Sequence, residues 1–141
     1  MTQTQTTPIL AIGLGCRQGC SASTLQALLE QSLQAHGIDL KAIKGLASID
    51  GKKAEPGLLE LAQRLNLPLV FFSATELAPY EPRLSHRSRL AFEQTGCHGV
   101  AESAALALAE QLGQTRANLL VSRQKNPMAT FALAWTGQNP R

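Results

Sequence analysis

The chain has 141 residues, of which 44% are apolar and 16% charged, with a formal net charge of +3. These values are typical of one ordinary globular domain. No apolar run approaches the roughly 20 residues of a membrane span, and the basic side chains form no dense stripe, so we expect no membrane and no nucleic-acid partner.

The distribution of polar residues gives three further expectations. Residues 1–8 predict a disordered tail without a signal peptide, residues 9–136 a single domain, and residues 137–141 a frayed end. The odd number of cysteines, three, favours free thiols in a reducing cytoplasm over a disulfide scaffold. Residues 81–141 carry seven basic and four acidic side chains, which suits an anionic small molecule.

The predicted elements alternate between strands and helices. Residues 9–14 predict a buried strand, and leucines at helical spacing predict a helix that is capped by Ser23 with Gln26 and stopped by Gly37. The pattern then predicts a strand over 46–49, a helix from Pro56 to about residue 65, a strand over 69–72, a helical turn over 75–78, helices over 85–93 and 99–112, and strands over 118–122 and 130–135.

This order predicts an α/β fold. We expect a mostly parallel sheet with helices on both faces. The Asn126-Pro127 connection predicts an antiparallel C-terminal hairpin at the edge of that sheet. In such sheets ligands bind beyond the carboxyl ends of the strands, so the loops at that end carry the candidate site.

The loop after the first strand is the most unusual segment. Three glycines, two cysteines and an arginine precede a helix start near Ser21, and the candidate binding residues are Gly13, Gly15, Cys16, Arg17, Gly19 and Ser21. Glycine allows a ligand to approach the backbone, helix-start amides attract anions, and arginine favours carboxylate or phosphate.

Two other interpretations of this loop fit the sequence less well. A dinucleotide fingerprint needs glycine where the chain has Gln18, and Asp50 comes 35 residues after Gly15 instead of about 20. A zinc site would use Cys16 and Cys20 with Cys97 and His98, but adjacent third and fourth ligands make tetrahedral closure awkward. We therefore expect neither a cofactor nor a metal.

Two later loops carry further candidates. Asp50, Lys52, Lys53 and Glu55 lie between a strand end and a helix start. They form either a solvated loop of mutually paired charges or a site where a lysine meets an acidic ligand that Asp50 orients.

The third loop contains His98 and Gly99 and leads into a helix with Glu102 in its first turn. Glu102 either stabilises the helix dipole or acts, alone or with His98, as a general acid or base. These two residues are the candidates for catalysis.

The three loops together resemble one family. The segments Gly13-x-Gly15-Cys16-Arg17-x-Gly19, Ser48-Ile49-Asp50-x-Lys52-x-x-Glu55-x-Gly57-Leu58 and Gly99-Val100-Ala101-Glu102-x-Ala104-Ala105-Leu106 are similar to the C-terminal domain of CbiG and to CobE, cobalamin-biosynthesis proteins. Lys125 and the segment Met128 to Ala134 resemble the last hairpin of that domain. The match spans about residues 9–135.

The resemblance implies a role in corrin-ring synthesis. Its expected ligand is a precorrin-type tetrapyrrole, whose acetate and propionate edges suit Arg17, Lys52 and Lys53, and its expected partners include other corrin-pathway enzymes. Full CbiG proteins open the lactone of cobalt-precorrin-5A, so the alternatives are a carrier or accessory protein and an enzyme acting on a precorrin. The third alternative function is that of a nucleotide-binding α/β module.

Overall fold

The computed structural model describes residues 8–85 and 99–137. Within these residues the chain alternates between strands and helices, as predicted. In chain order the elements are β1 Leu10–Cys16, α1 Ala22–Ala35, a 3-10 turn Leu40–Ala42, β2 Ile43–Ile49, a 3-10 turn Asp50–Lys52, α2 Pro56–Leu65, β3 Leu69–Phe72, α3 Ala74–Leu77, a 3-10 helix Ala78–Arg83, α4 Val100–Gly113, β4 Asn118–Lys125 and β5 Ala129–Trp135.

The described strands form one mixed sheet in the order β3-β2-β1-β5-β4. β1 pairs in parallel with β2, and β2 with β3, whereas β5 runs antiparallel to both β1 and β4. Four of these strands therefore point the same way, and the C-terminal hairpin forms one side of the sheet. The predicted α/β fold with an antiparallel hairpin at the edge is confirmed.

The two faces of the sheet are covered by different helices. Side chains alternate along β1, so Ile12 and Leu14 pack with α1 and α2, while Ala11 packs with α4. Gly13 also faces α4, and a Cβ atom there would overlap the Ala101 carbonyl oxygen and lie 2.6 Å from the Ala105 amide nitrogen. The absence of a side chain lets helix α4 lie directly on the strand.

Helix α4 is buried on ten consecutive residues, from Val100 to Ala109. Its outer side is fastened by polar contacts to the 3-10 helix. Tyr80 Oη donates to Glu110 Oε1 at 3.2 Å, and Arg83 Nη2 lies 3.0 Å from Glu110 Oε2. Arg83 also stacks over the Tyr80 ring, with its guanidinium carbon 5.3 Å from the ring centre. Glu110 therefore links helix α4 to the segment that follows α3.

Two predicted helix ends are wrong in detail. Ser21, not Ser23, caps α1, since its side chain accepts a hydrogen bond from the Thr24 amide at 3.1 Å. Ser23 Oγ instead accepts a 3.3 Å hydrogen bond from Arg64. The helix predicted over 99–112 ends one residue later, at Gly113, and the left-handed residue that follows is Gln114 with φ +56°.

Several expectations lie outside the described residues. These are the disordered tail over 1–7, most of the helix predicted over 85–93, the position of His98, and most of the frayed end. Between residues 8 and 85 and between 99 and 137, no helix combines the length and the apolar character that crossing a bilayer requires.

Candidate functional site

The site predicted from sequence lies at the carboxyl edge of the sheet. Since β1, β2 and β4 point the same way, the β1–α1 loop (residues 17–21), the β2–α2 loop (residues 50–55) and the β4–β5 turn (residues 126–128) all lie at that edge. A direct contact joins the first of these to the last, because the Arg17 amide donates to the Met128 carbonyl oxygen at 2.8 Å.

The β1–α1 loop is a tight turn with an exposed tip. The Cys20 amide donates to the Arg17 carbonyl at 3.1 Å, and Gly19 has φ +84°, a left-handed conformation that strains residues with a Cβ. Arg17 and Gln18 are exposed, whereas Cys20 is buried. The turn therefore holds the Arg17 side chain in solvent at the rim of the sheet.

The β2–α2 loop forms a second compact turn. The amide of Lys53 donates to the Asp50 carbonyl at 3.0 Å, and the amide of Glu55 donates to the Lys52 carbonyl at the same distance. Asp50 and Lys53 are exposed, and Lys52 is half-buried. Pro56 then occupies the first turn of α2, where its missing N–H costs no hydrogen bond.

Glu55 connects these two loops. Its side chain is buried, with 8% of the residue exposed, and Oε2 accepts a 2.9 Å hydrogen bond from the Gly19 amide. Gly57 makes a second contact, since a Cβ atom at this position would overlap the Cys20 carbonyl oxygen. The start of α2 therefore packs directly against the β1–α1 loop.

Cys16 lies between the two loops. Burial raises the pKa of its thiol to about 11, the charge of Lys52 acts in the opposite direction, and Cys20 and Glu55 raise it further. Burial also raises the pKa of Cys20, with a contribution from Glu55. Both thiols are free, and their raised pKa values keep them protonated at neutral pH.

Several cations lie at this edge. Arg17, Lys53 and Lys125 are exposed and Lys52 is half-buried. The ion pairs within residues 8–85 and 99–137 are Arg64–Glu60 and Arg83–Glu110, so none of these four cations is neutralised by a described carboxylate within 4 Å. Unpaired cations at one rim are chemically suited to an anionic ligand.

Glu102 lies at the same end of the sheet but beneath the surface. It is 1% exposed, and it accepts hydrogen bonds from the amides of Ser85 and Arg123, each at 2.8 Å, and from the Ser85 hydroxyl. The carboxylate thus ties α4 to β4 and to the segment after the 3-10 helix. Its predicted role in proton transfer stays a prediction, and His98 lies outside the described residues.

The structure gives Gly13 a packing role and positions three other predicted ligand-binding residues. Gly13 is covered by helix α4, so its open backbone serves helix packing and leaves no room for a ligand. Gly15 faces Thr130 and Val100, which puts the start of α4 and Gly99 near the carboxyl end of β1. Lys125 ends β4 and pairs with Thr130 in the ladder.

A small cavity of about 230 Å³ opens between the first turns of α1 and α2. Arg64 lies at its side and is engaged by Glu60 at 2.6 Å, Gln26 at 3.0 Å and Ser23. In the part of the chain that the structure describes, His, Cys, Asp and Glu side chains form no cluster of three or more that could hold a metal ion.

The sequence matches a known family over most of its length. The family described as "Cobalamin synthesis G C-terminus" matches residues 10–134. The chain belongs to this CbiG C-terminal family. It is therefore a cobalamin-biosynthesis protein of the CobE/CbiG type, and the resemblance inferred from its three loops is confirmed.

Two solved structures of cobalamin-biosynthesis proteins share this fold. The crystal structure of CobE, a protein from the cobalamin (vitamin B12) biosynthetic pathway, matches with a TM-score of 0.90 and 49% identity over 94% of both chains. The cobalamin biosynthesis protein chiG from Agrobacterium tumefaciens str. C58 matches with a TM-score of 0.69 and 27% identity, over 92% of this chain and all of that one.

Relatives of this chain include proteins of different lengths. Protein CobE from Sinorhizobium sp is 38% identical over 125 residues, covering 89% of this chain and 79% of CobE. The cobalt-precorrin-5A hydrolase of Priestia megaterium is 37% identical over 98 residues, covering 70% of this chain but only 26% of the hydrolase. The matched part of this chain thus spans about a quarter of that enzyme.

Residues that sequence reasoning missed contribute to the site through their backbone. The Met128 carbonyl fixes Arg17, and Gly57 allows the close approach of Cys20. A glycine in the first turn of a helix, directly after Pro56, is the signal that could have identified Gly57, because glycine is unfavourable there without a packing reason. No side-chain pattern identifies a carbonyl acceptor such as that of Met128.

Proposed function

We propose that this chain binds a precorrin-type tetrapyrrole intermediate at the carboxyl edge of its sheet, as a carrier or accessory protein in cobalamin biosynthesis. The observation that carries the proposal is the set of cations at that edge with no ion pair among the described residues: Arg17, Lys52, Lys53 and Lys125. A precorrin is a flat macrocycle edged with acetate and propionate groups, which are the natural partners of such cations.

The rim also offers surface for the ring itself. The β4–β5 turn puts Pro127 and the half-buried Met128 beside Arg17. Methionine is flexible and polarisable, and it suits the face of an aromatic or conjugated ring. We expect other corrin-pathway enzymes to deliver and receive the ligand, and the free thiols of Cys16 and Cys20 support a cytoplasmic location.

Absorbance titration with a purified precorrin-type tetrapyrrole tests the proposal. Because each substitution removes a charged hydrogen-bond donor, we expect Arg17→Ala and Lys52→Ala to raise Kd by about tenfold each. Lys44→Ala and Arg116→Ala are matched controls, since both remove an exposed cation near the opposite edge of the sheet. A ligand with esterified carboxylates should bind weakly. Wild-type affinity in both rim variants would count against this site.

An enzymatic role is the second candidate, favoured by the similarity to cobalt-precorrin-5A hydrolases. Glu102 and His98 would be its acid–base candidates, and loop amides would stabilise a developing oxyanion. Mass spectrometry of a precorrin incubated with the pure protein separates the two functions. A carrier leaves the mass of the ligand unchanged over hours, whereas lactone opening with loss of acetaldehyde changes it.

A further inference from the structure

We propose that Glu55 is a positioning residue that holds the β1–α1 and β2–α2 loops together, so that Arg17 and Lys52 face a ligand as one rim. The ligand part of this inference rests on the proposed function. The coupling between the loops does not, because it follows from contacts within the protein alone.

The first argument is the fixed placement of the Glu55 side chain. Its backbone amide donates to Lys52, and its carbonyl accepts from the amides of Leu58 and Leu59 at 3.2 and 3.3 Å, so the residue is anchored at the start of α2. The Glu55 side chain makes no capping hydrogen bond to its own helix. It reaches across to the Gly19 amide instead.

The second argument is the close packing around that hydrogen bond. Gly57 approaches the Cys20 carbonyl so closely that no Cβ fits between them. Glu55 and Gly57 are two positions apart at the start of α2, and they contact the adjacent residues Gly19 and Cys20. The turn that carries Arg17 is therefore held at two neighbouring points by the helix that follows Lys52.

The third argument is the burial of the carboxylate below the cations. With 8% of the residue exposed, Glu55 offers a ligand little surface, whereas Arg17 is exposed. The negative charge of Glu55 acts on both Cys16 and Cys20, as its effect on their thiols shows. Glu55 therefore influences the rim from beneath it, which distinguishes a positioning residue from a ligand-contacting one.

Three measurements on Glu55→Ala and Glu55→Gln test the inference. In Glu55→Ala we expect hydrogen exchange of the Gly19 amide to accelerate, and the Kd for a precorrin-type tetrapyrrole to rise, each by at least about tenfold, because the acceptor is lost. Glu55→Gln keeps a carbonyl oxygen as acceptor and should leave both within about threefold. Its lost charge should move the titration of the Cys16 thiol to lower pH.

Glu60→Ala is the matched control. This glutamate lies on the same helix, its side chain is 54% exposed, and it pairs with Arg64. Its removal should change none of the three measurements. Gly57→Ala is a second variant that separates the loops with Glu55 intact, and it should reproduce the faster Gly19 exchange and the weaker binding of Glu55→Ala.

The outcomes distinguish this inference from the proposed function. Unchanged Gly19 exchange in both Glu55→Ala and Gly57→Ala would overturn the coupling, whatever the ligand does. Faster exchange of the Gly19 amide with an unchanged Kd for the tetrapyrrole would overturn the claim that the coupling of the loops supports ligand binding. Weak binding in Glu55→Gln with normal exchange would make Glu55 a direct ligand contact and overturn the positioning role. If the wild-type protein does not bind the tetrapyrrole, the proposed function fails, and exchange still decides the coupling.

Discussion

The two faces of the sheet reach the same degree of burial by opposite means. Toward α4 the sheet presents small residues, among them Ala11, Gly13, Ala47, Ala132 and Ala134. The helix residues that pack against them are also small and include Ala101, Ala104 and Ala105. Toward α1 and α2 the sheet presents large ones, including Ile12, Leu14, Leu46, Phe131 and Leu133. At Gly13 the α4 face is packed backbone against backbone, whereas the centre of the other face is filled by side-chain volume.

This difference predicts opposite sensitivities. At Gly13 on the α4 face there is no room for an added methyl group, so enlargement is the damaging change there. On the other face the loss of volume leaves a cavity, so truncation is the damaging change. The predictions below test this contrast, starting with the largest expected effect.

Gly13→Ala should be the most destabilising substitution. The new Cβ would overlap the Ala101 carbonyl oxygen, and backbone atoms of a buried helix cannot move aside without displacing α4. We expect a loss of about 4 kcal/mol or more in the free energy of unfolding, measured by urea denaturation. Gly51→Ala is the control, since nothing lies within 4 Å of its Cβ position. Equal stability of the two variants would refute backbone contact at this face.

Leu58→Ala probes the face that is filled by volume. Leu58 is fully buried in the cluster under α1 and α2, and its truncation should cost about 3 kcal/mol in unfolding free energy. The neighbouring Leu59 is 47% exposed, and Leu59→Ala should cost less than about 0.5 kcal/mol. If both substitutions cost the same, side-chain volume is not what stabilises this face.

Glu110→Gln tests the polar fastening on the outer side of α4. Burial alone would raise the pKa of Glu110, but hydrogen bonds from the Ala117 amide and Arg83, the Arg83 charge and the Tyr80 hydroxyl lower it overall. Since the folded pKa is below the unfolded one, the carboxylate stabilises the protein above the unfolded pKa. That contribution is lost as pH falls through the folded value.

We therefore expect Glu110→Gln to lose about 1–2 kcal/mol near pH 7 and to approach wild-type stability in acid. Denaturation curves between pH 7 and pH 2 measure this convergence. Glu30→Gln, at an exposed site on α1, serves as the control. A constant difference between Glu110→Gln and wild type across the pH range would contradict an ionised, hydrogen-bonded Glu110.

The smallest expected effect on stability comes from the buried thiol of Cys16. The rate at which this thiol is alkylated measures how far water reaches the carboxyl end of the face that is covered by α1 and α2. The pKa of the thiol is about 11, above the ordinary value of 9.0, so burial of the neutral form stabilises the fold below pH 9. This contribution is lost as pH rises toward 11. Peptide mapping after iodoacetamide treatment should show slow reaction of Cys16 until that range, and reaction near pH 9 in urea. Rapid reaction of the folded protein at pH 8 would contradict the burial.

Most of the fold could be predicted because its signals are local. The β3 strand occupies the predicted residues 69–72, and α1 and α4 lie within one or two residues of their predicted bounds. The start of β2 at Ile43 was missed by three residues, because Lys44 and Gly45 interrupt its apolar pattern. Ser21 and Ser23 both suit an N-cap, and only the contact between Ser23 and Arg64 from another helix separates them.

The sequence predicts the edge of the sheet at which the candidate residues lie. It predicts only in part which of these residues are accessible to a ligand. Arg17 and Lys52 follow strand ends, so topology alone places them at one edge. Glu55 and Gly13 were both interpreted as ligand contacts, whereas Glu55 is buried and Gly13 lies under α4. A sequence shows which residues could serve a ligand. Whether another part of the chain already occupies them depends on tertiary packing.

The pairing of β1 with β5 has a consequence for how the protein is made. Leu10 lies opposite Trp135 in the ladder, and the Arg17 amide needs the Met128 carbonyl. A nascent chain emerging from the ribosome therefore carries β1 exposed on one side until β5 has been synthesised. The contact between Arg17 and Met128 cannot form before the β4–β5 turn is synthesised, and a product truncated ahead of β5 would lack the β1–β5 ladder.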